Sequence, residues 1–160
     1  MNIRIKKLNE LAQIPKQAHA FDGGWDVVCT EIEQVAEDFV ICKLGFALEV
    51  PERYKLTLVP RSSLTSTHWI VQNSPGLGDA HYRGEYQYRF RALPTGVFRK
   101  SNAVYKLSYP EFPYKVGDRI GQVYLEEVIP MTFKEVDYLY ESERNTGGYG
   151  STGNSPLITD

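Results

Sequence analysis

Hydrophobic and polar positions alternate along short stretches of this chain, with the two-residue period of a β-strand. Ile3 and Ile5 flank the basic Arg4, and side chains two residues apart lie on the same face of a strand. Further runs rich in aromatic and β-branched residues are separated by turn-forming residues, as in an all-β sandwich or barrel. The predicted strands are 25–29, 39–44, 46–50, 54–59, 69–71, 86–90, 103–107, 120–125 and 132–136.

Two segments depart from this pattern. Ser62–Thr67 predicts a short helical turn that its own hydroxyls would cap. Leu93–Pro113 contains several prolines and predicts a long hairpin or excursion. No internal repeat, charge block or linker divides the 160 residues, so we expect a single domain with a sizeable core.

The charge balance narrows the possible partners. Lys and Arg number 18 and Asp and Glu 20, a formal net charge of −2, which disfavours general DNA or RNA binding. A few clustered arginines still suffice for a small anionic ligand. No apolar run approaches a membrane span, so we expect a cytoplasmic protein. Cys29 and Cys42 lie in apolar runs without a metal-binding pattern, which predicts buried free thiols.

The segment after Glu143 is rich in glycine and hydroxyl side chains. Glycines such as Gly150 let backbone N–H groups approach a ligand closely. Arg144, Ser151 and Thr152 add donors for phosphate oxygens, and the face of Tyr149 can stack on a planar ring. Such a segment is usually a disordered tail, and it lacks the Gly-Lys-Ser/Thr ending of a phosphate-binding P-loop. The motifs elsewhere in the chain favour an arm that closes over a nucleotide.

A second motif runs from 73 to 85. Pro75-Gly76 and Gly78 predict a tight turn between two strands, and such a hairpin exposes backbone groups that can read the edge of a pyrimidine. Asp79 follows the turn and is a candidate general base acting on water. The alternative is a surface hairpin whose aspartate caps its own backbone.

Three shorter motifs carry weaker signals. Arg61 and Ser62 follow an apolar strand, where N–H groups and a hydroxyl can bind an anion; the alternative is a helix cap beside a solvated arginine. Gln122, in the turn-to-strand segment 117–122, is a polar side chain available to a phosphate. Asp26 begins a strand, and its carboxylate can face a hydrated Mg²⁺.

Together and in this order, these motifs resemble those of the trimeric dUTP pyrophosphatases (dUTPases). The matching segments are Gly24–Asp26, Pro60–Leu64, Asp79–Glu85, Gly117–Gln122 and Arg144–Gly153. The resemblance implies a jelly-roll-like, all-β β-clip fold and a homotrimer with active sites at its subunit interfaces. It implies hydrolysis of dUTP to dUMP and diphosphate by water attack at the α-phosphorus with Mg²⁺. It also implies a β domain over 1–143 with an insertion around 93–113, followed by an arm at 144–160 that closes over the active site.

The resemblance assigns roles to individual residues. Asp79 matches the base that deprotonates the attacking water, and Arg144 matches an arginine finger at the γ-phosphate. Tyr82 matches the residue packed against the deoxyribose, where its ring excludes a 2′-hydroxyl. Asp26 matches the acid that holds the metal through water. The implied substrate-binding set is Arg61, Ser62, Ser63, Asn73, Gly78, Tyr82, Gln122, Tyr149, Gly150, Ser151 and Thr152.

Some positions depart from the family pattern. His81 stands where the family often has a second acid, Gly78 replaces a more usual β-branched residue, and Asn145 replaces a common glycine. Two alternatives stay open. One is a dCTP deaminase or a bifunctional deaminase–dUTPase, which needs a glutamate in the site; Glu85 fits the plain dUTPase pattern instead. The other is a non-catalytic regulatory protein that keeps the fold.

Overall fold

The chain forms an almost entirely β structure. The computed structural model describes residues 1–100 and 104–148. Within those ranges, no helix is long and apolar enough to cross a membrane. The described elements are β1 (Arg4–Lys7), β2 (Trp25–Val28), β3 (Glu31–Ala36), β4 (Phe39–Lys43), β5 (Phe46–Glu49), β6 (Tyr54–Pro60), a 3₁₀-helix (Ser62–Ser66), β7 (Trp69–Val71), β8 (Gly76–Gly78), β9 (Gln87–Ala92), β10 (Gly96–Lys100), β11 (Val104–Ser108) and β12 (Arg119–Glu127).

Two four-stranded antiparallel sheets form the body of the fold. One has the strand order β2-β12-β6-β8 and the other β3-β4-β9-β7. β1 pairs with β5, and β10 pairs with β11. Apolar residues from both sheets belong to one buried cluster, so the arrangement is the predicted jelly-roll-like sandwich.

The core follows the alternation of each strand. Along β4, Val40 and Cys42 are fully buried while their neighbours are partly exposed, as the two-residue period requires. Along β9, Tyr88 and Phe90 are buried in the same way. Both cysteines are buried and free, as predicted.

One tyrosine joins the two sheets directly. The hydroxyl of Tyr88, on β9, lies 2.8 Å from the carbonyl oxygen of Gln122 on β12 and 3.1 Å from that of Val59 on β6. Burial raises the pKa of this phenol, so it keeps its proton and remains a donor. The bond links the core strand β9 to the two strands that carry the phosphate-side motifs.

The strands predicted within 25–125 are present, with ends that agree to within a few residues. Three observed strands were not predicted, and one predicted strand is absent. β3, β8 and β10 were not predicted, since β3 is largely exposed and β8 reads Gly-Leu-Gly. The predicted strand at 132–136 is wrong, because these residues have no regular structure and the side chain of Phe133 is 92% exposed. An apolar run predicts a strand only where a neighbouring strand pairs with it.

The predicted excursion at 93–113 contains the hairpin of β10 and β11. The residues that follow this hairpin pack on the core. The indole Nε1 of Trp69 donates to the carbonyl of Glu111 at 3.0 Å, and the ring of Phe112 lies edge-on to Trp69 at 5.0 Å between centroids. These residues lie in one compact unit, Met1–Pro130, and the described residues from Met131 onward belong to a second unit.

Candidate active site

A cavity opens where the chain passes from one sheet to the other. β8 pairs with β6, whereas β9 pairs with β4 and β7. The predicted hairpin is confirmed in that β7 and β9, predicted as strands 69–71 and 86–90, pair antiparallel with each other. The tight turn predicted at 75–78 is wrong, because Gly76–Gly78 is the strand β8 of the other sheet, and residues 79–86 lead from β8 to β9. The cavity has a volume of about 290 Å³. Its lining residues are Leu58, Asn73, Gly76, Leu77, Asp79, Tyr82, Glu85, Tyr86 and Gln87.

Asp79 lies on the wall of this cavity with its side chain exposed. Its backbone carbonyl accepts a hydrogen bond from Tyr82 N at 3.0 Å, which closes a tight turn. Among residues 1–100 and 104–148, no group donates a hydrogen bond to its carboxylate. The alternative in which this aspartate caps its own backbone is not what the structure has, and the carboxylate is accessible to water or a ligand.

Tyr82 forms an aromatic wall of the cavity. Its side chain is 44% exposed, and its hydroxyl donates to the carbonyl of Glu85 at 3.0 Å. Its ring lies edge-on to Tyr86 at 5.2 Å between centroids. Gly84 makes this conformation possible, because a Cβ there would lie 2.4 Å from the Tyr82 hydroxyl oxygen. The ring is thus held at a fixed place by its own turn.

Asn73 holds the edge of the strand that borders the cavity. Its Nδ2 donates to the carbonyl of Gln87 at 3.1 Å, and its Oδ1 accepts from Arg89 N at 2.9 Å. The side-chain amide therefore makes the two hydrogen bonds to β9 that the backbone of a neighbouring strand would make. These bonds fix the backbone of Gln87 at the border of the cavity.

A second group of polar side chains surrounds the buried Asp26. Its Oδ2 lies 2.7 Å from Arg119 Nη1, and its Oδ1 lies 3.2 Å from both Arg61 Nε and Gln122 Nε2. We call these four residues the arginine cluster. With two guanidinium groups and one carboxylate, the arginine cluster carries a formal charge of about +1 at neutral pH, which suits a phosphate.

A β-bulge explains how Arg119 and Gln122 reach the same carboxylate. Side chains three residues apart in a regular strand lie on opposite faces. The pairing of β12 with β2 shifts register between Arg119 and Gly121, and both Ile120 and Gly121 are buried. The extra residue rotates the start of β12, so that Arg119 joins Gln122 at Asp26.

Strand β6 connects the cavity to the arginine cluster. Leu58 lines the cavity, and Arg61 follows three residues later, a separation of roughly 10 Å at the rise of a strand. Ser62 and Ser63 come next, exposed in the first turn of the 3₁₀-helix. The hydroxyls of Thr65 and Ser66 donate back to the carbonyls of these two serines, at 2.6 and 2.9 Å.

The predicted hydroxyl cap of this helix is wrong. Arg61 is its N-cap residue and makes no side-chain capping bond, since its guanidinium bonds Asp26. The first N–H groups of the helix are thus left without that cap.

The arrangement does not provide a resident metal site. Among the described residues, no group of three or more His, Cys, Asp and Glu side chains is placed to hold a metal ion. Each oxygen of Asp26 can accept about two hydrogen bonds, and Oδ1 already accepts two and Oδ2 one. One lone pair remains, which fits a single water of a hydrated cation that arrives with its own ligands.

Arg144 belongs to the second unit and is described there by itself. Its Nε donates to the carbonyl of Gly147 at 2.9 Å. Asn145 has φ 41°, and its Oδ1 accepts from Ser142 N at 2.9 Å. Asparagine tolerates this left-handed conformation better than most residues, which accounts for its place where a glycine is common. The predicted site residues Tyr149, Gly150, Ser151 and Thr152 lie outside the described residues.

Sequence reasoning missed two residues of this region. Arg119 is not among the predicted site residues, but its guanidinium bonds Asp26. The carboxylate of the adjacent Asp118 accepts a hydrogen bond from Lys115 N instead. Tyr86 is the first residue of the predicted strand 86–90 and is not among the predicted site residues, but it lines the cavity. Arg119 could have been found from its place in the turn-to-strand motif at 117–122. Tyr86 could have been suspected from Gly78, since a glycine leaves space for a large neighbouring side chain.

Proteins of similar sequence are known over nearly the full length of the chain. The deoxyuridine 5'-triphosphate nucleotidohydrolase of Crocosphaera subtropica is 36% identical over an alignment of 157 positions that covers 96% of this chain and 99% of that protein. The enzyme of the same name from Thermobifida fusca is 34% identical, over 96% of this chain and 79% of that protein. No protein-family model matches the chain.

Solved structures share the fold. The dUTPase of Staphylococcus bacteriophage 80alpha with dUPNHPP superposes with a TM-score of 0.78 at 23% identity, covering 96% of this chain and 99% of that chain. A mutant dUTPase of phage phi11 of S. aureus, described with a structural Mg(II) ion, gives a TM-score of 0.67 at 22% identity, covering 86% and 98%.

Proposed function

This chain belongs to the dUTPase family, and on that premise we propose how its own residues hydrolyse dUTP to dUMP and diphosphate. The observation that carries the proposal is the cavity that brings Asp79 and Tyr82 together and that is lined by Leu58 of β6, the strand that leads to Arg61 of the positively charged arginine cluster. A nucleoside fits the cavity, and the triphosphate extends along β6 towards Arg61.

Asp79 is the general base. Its carboxylate is exposed at the cavity wall and receives no hydrogen bond from the described part of the chain, so it is available to a water molecule. It accepts a proton from that water as the oxygen attacks the α-phosphorus. The bond from the α-phosphorus to the bridging oxygen breaks, and diphosphate leaves.

The cavity selects a deoxyribonucleotide that carries uracil. The ring of Tyr82 is held by the Glu85 carbonyl, and it fills the space that a 2′-hydroxyl would need. Asn73 fixes the backbone of Gln87, whose N–H and C=O groups, with those of β8, read the edge of the base. Cytosine inverts the donor and acceptor pattern of that edge, so it leaves buried polar groups unpaired.

The arginine cluster and the 3₁₀-helix bind the phosphates. Asp26 holds the guanidinium of Arg61 and the amide of Gln122 in place before the substrate arrives. Donors that are already oriented stabilise charge without reorganising during the reaction. Ser62 and Ser63 add exposed hydroxyls next to Arg61.

Asp26 would hold a hydrated Mg²⁺ through one water at its remaining lone pair. Such a cation would take most of its other ligands from phosphate oxygens and water, as is usual for Mg²⁺. When bound, the ion neutralises the negative charge that develops on the phosphate oxygens.

The segment from Arg144 onward is the arm that closes over the bound nucleotide. Arg144 contacts the γ-phosphate, Tyr149 stacks on uracil, and the backbone of Gly150 with the hydroxyls of Ser151 and Thr152 binds the terminal phosphates. A charged finger and several hydrogen bonds formed only on closure stabilise the transition state rather than the free enzyme.

The active form is a homotrimer. The second unit exposes a run of large apolar side chains, between 51% and 92% exposed, which is unfavourable in water unless a partner covers them. These residues are Met131, Phe133, Val136, Tyr138, Leu139 and Tyr140. We propose that they pack against another copy of the chain. A mass of one subunit in sedimentation equilibrium would contradict this.

The deaminase alternative is not favoured. The Oε1 of Glu85 accepts a hydrogen bond from Gly45 N at 2.9 Å, so this carboxylate ties its turn to the bend between β4 and β5. A proton shuttle at a pyrimidine ring needs an acid that is free to exchange protons with it.

The deciding experiment measures diphosphate release with Mg²⁺ from dUTP, dCTP, dTTP and UTP, with ammonia release followed in parallel. We expect release from dUTP alone. Ammonia from dCTP would establish the deaminase, and no turnover of any nucleotide would leave a binding protein. The variant His81→Ala, at an exposed residue outside the proposed machinery, is the matched control and should keep the activity of the unmodified enzyme.

Truncation after Glu143 tests the arm. The truncated chain should keep its trimeric mass and lose about a hundredfold or more in kcat, the scale of losing transition-state donors. A fully active truncation would overturn the role of the arm and leave the cavity assignment in place.

A further inference from the structure

Two buried tyrosines near the site each lie against a glycine. Tyr86 is 4% exposed and Tyr88 fully buried. A Cβ at Gly78 would lie 2.6 Å from Cε1 of Tyr86, and a Cβ at Gly121 would lie 2.2 Å from Cζ of Tyr88. In each pair the tyrosine ring occupies the space that a side chain at the glycine position would take.

The two hydroxyl groups differ in what they bond. That of Tyr88 lies within hydrogen-bond distance of two backbone carbonyls. That of Tyr86 is buried and has no hydrogen-bond partner among the described residues. A buried polar atom without a partner destabilises a fold, so the Tyr86 hydroxyl is unfavourable in the protein alone.

Tyr86 lies at the cavity proposed to hold the nucleoside. Tyr86 lines the same cavity as Asp79, and its ring contacts that of Tyr82 edge-on. Burial, with a smaller effect of the neighbouring Tyr82, raises the pKa of Tyr86 to about 12. The phenol therefore keeps its proton at neutral pH and can both donate and accept a hydrogen bond.

We propose that Tyr86 is a further specificity-determining residue, whose hydroxyl hydrogen-bonds the nucleoside half of the nucleotide in the cavity. Gly78 allows this, because any side chain there would displace the phenol. The inference rests on the proposed function, in which the cavity holds the nucleoside. It adds a polar contact that none of the motif residues supplies.

The competing explanation is that Tyr86 only fills the volume left open by Gly78. The two explanations predict different results for Tyr86→Phe, which keeps the ring and removes the hydroxyl. A ligand contact predicts weaker nucleoside binding together with an unchanged or raised Tm. A filler predicts unchanged nucleoside binding.

The experiment titrates dUMP and diphosphate, separately, into the full-length enzyme by calorimetry and records the Tm without nucleotide. For Tyr86→Phe we expect the Kd for dUMP to rise about three- to tenfold, the effect of one hydrogen bond, with the Kd for diphosphate unchanged. In steady state the KM for dUTP should rise with kcat unchanged, the pattern of a contact made equally in ground and transition states.

Tyr88→Phe is the matched control on the same strand. It removes a hydroxyl that is bonded within the protein, so its Tm should fall. Tyr86→Leu is a second variant that also lacks the hydroxyl, and its Kd for dUMP should rise as well. An unchanged Kd for dUMP in Tyr86→Phe would overturn the proposal, as would a Tm that falls as far as that of Tyr88→Phe.

Turnover of dUTP by the unmodified enzyme separates this inference from the proposed function. If the unmodified enzyme hydrolyses dUTP and Tyr86→Phe binds dUMP equally well, only the role of Tyr86 fails. If the unmodified enzyme neither binds dUMP nor hydrolyses dUTP, the proposed function itself fails.

Discussion

Asp26 and Asp79 are both aspartates of the proposed active site, but their surroundings are opposite. The side chain of Asp26 is 6% exposed and is bonded by two arginines and a glutamine. That of Asp79 is exposed and receives no hydrogen bond from the described residues. The polar groups of the arginine cluster bond one another in the protein alone. In the cavity, the Asp79 carboxylate and the Tyr86 hydroxyl have no hydrogen-bond partner among the described residues. One half of the site is thus organised in advance, and the other half is completed by its ligand.

The contrast has a physical reason. A phosphate binds to charge that is already in place, so its ligands benefit from being fixed and neutralised in part beforehand. A general base must exchange a proton with water, so a carboxylate fully bonded to arginines would be a poor base. The two aspartates therefore cannot exchange roles without changing their neighbours.

The largest expected effect is that of Asp79→Asn. An amide cannot take the proton from the attacking water, so kcat should fall about a thousandfold while nucleotide binding is largely kept. Stopped-time assays of diphosphate release, with calorimetry for binding, measure the two quantities. His81→Ala in the same turn is the control. Near-normal turnover in Asp79→Asn would move the base elsewhere.

Asp26→Asn tests the other half of the comparison. The substitution leaves Arg61 and Arg119 without their carboxylate, and the free energy of unfolding should fall by about 2–3 kcal/mol, discounted for the half-exposed Arg119. Urea denaturation measures this. Asp38→Asn removes the more exposed ion pair with Arg91, and it should lower the free energy of unfolding by less than about 1 kcal/mol. Equal losses in the two variants would mean that the arginine cluster is no more organised than a surface pair.

Gly78→Ala tests whether Tyr86 fills the space next to position 78. The added methyl group meets the ring of Tyr86, and overpacking of this kind should lower the free energy of unfolding by about 2 kcal/mol. Tyr86→Leu removes the contact, so the double variant should recover much of the loss. A double-mutant cycle in urea measures the coupling, and simple additivity of the two changes would contradict the contact.

The smallest expected effect is a difference in alkaline stability. The pKa of Tyr86 is raised to about 12 in the folded protein, against about 10 in the unfolded chain. Its contribution is therefore constant below about pH 10 and is lost between about pH 10 and 12. Relative to Tyr86→Phe, the unmodified protein should lose about 1–2 kcal/mol over this window. A difference between the two proteins that is the same at pH 9 and pH 11.5 would show that Tyr86 is not buried as described.

Sequence reasoning predicted the sandwich and most of its strands because alternation of apolar residues reports directly on burial, as at Val40 and Cys42. It also singled out Asp26, Arg61 and Gln122, which the structure brings together. It predicted that Asp26 holds a metal through water, a role that stays a proposal. It did not predict that Arg61 and Arg119 both bond the Asp26 carboxylate. That arrangement depends on a register shift in β12, which no periodicity in the sequence reveals.

The pairing of β7 with β9 agrees with the predicted hairpin, but the strand β8 between them was beyond the sequence. Pro75-Gly76 and Gly78 signal a turn, and they do not indicate that Gly76–Gly78 pairs with a strand of the other sheet. β8 pairs with β6 through only three residues. The unpaired hydroxyl of Tyr86 depends on the distance between β9 and Gly78, which is a property of the folded sheets alone.

The register shift in β12 has a consequence for anyone who would transplant this phosphate site. Copying the four side chains of the arginine cluster onto an ordinary antiparallel sheet would fail, since Arg119 would emerge on the face away from Asp26. The graft must include the irregular backbone between Arg119 and Gly121, so the smallest portable unit is a bent piece of strand and not a set of residues.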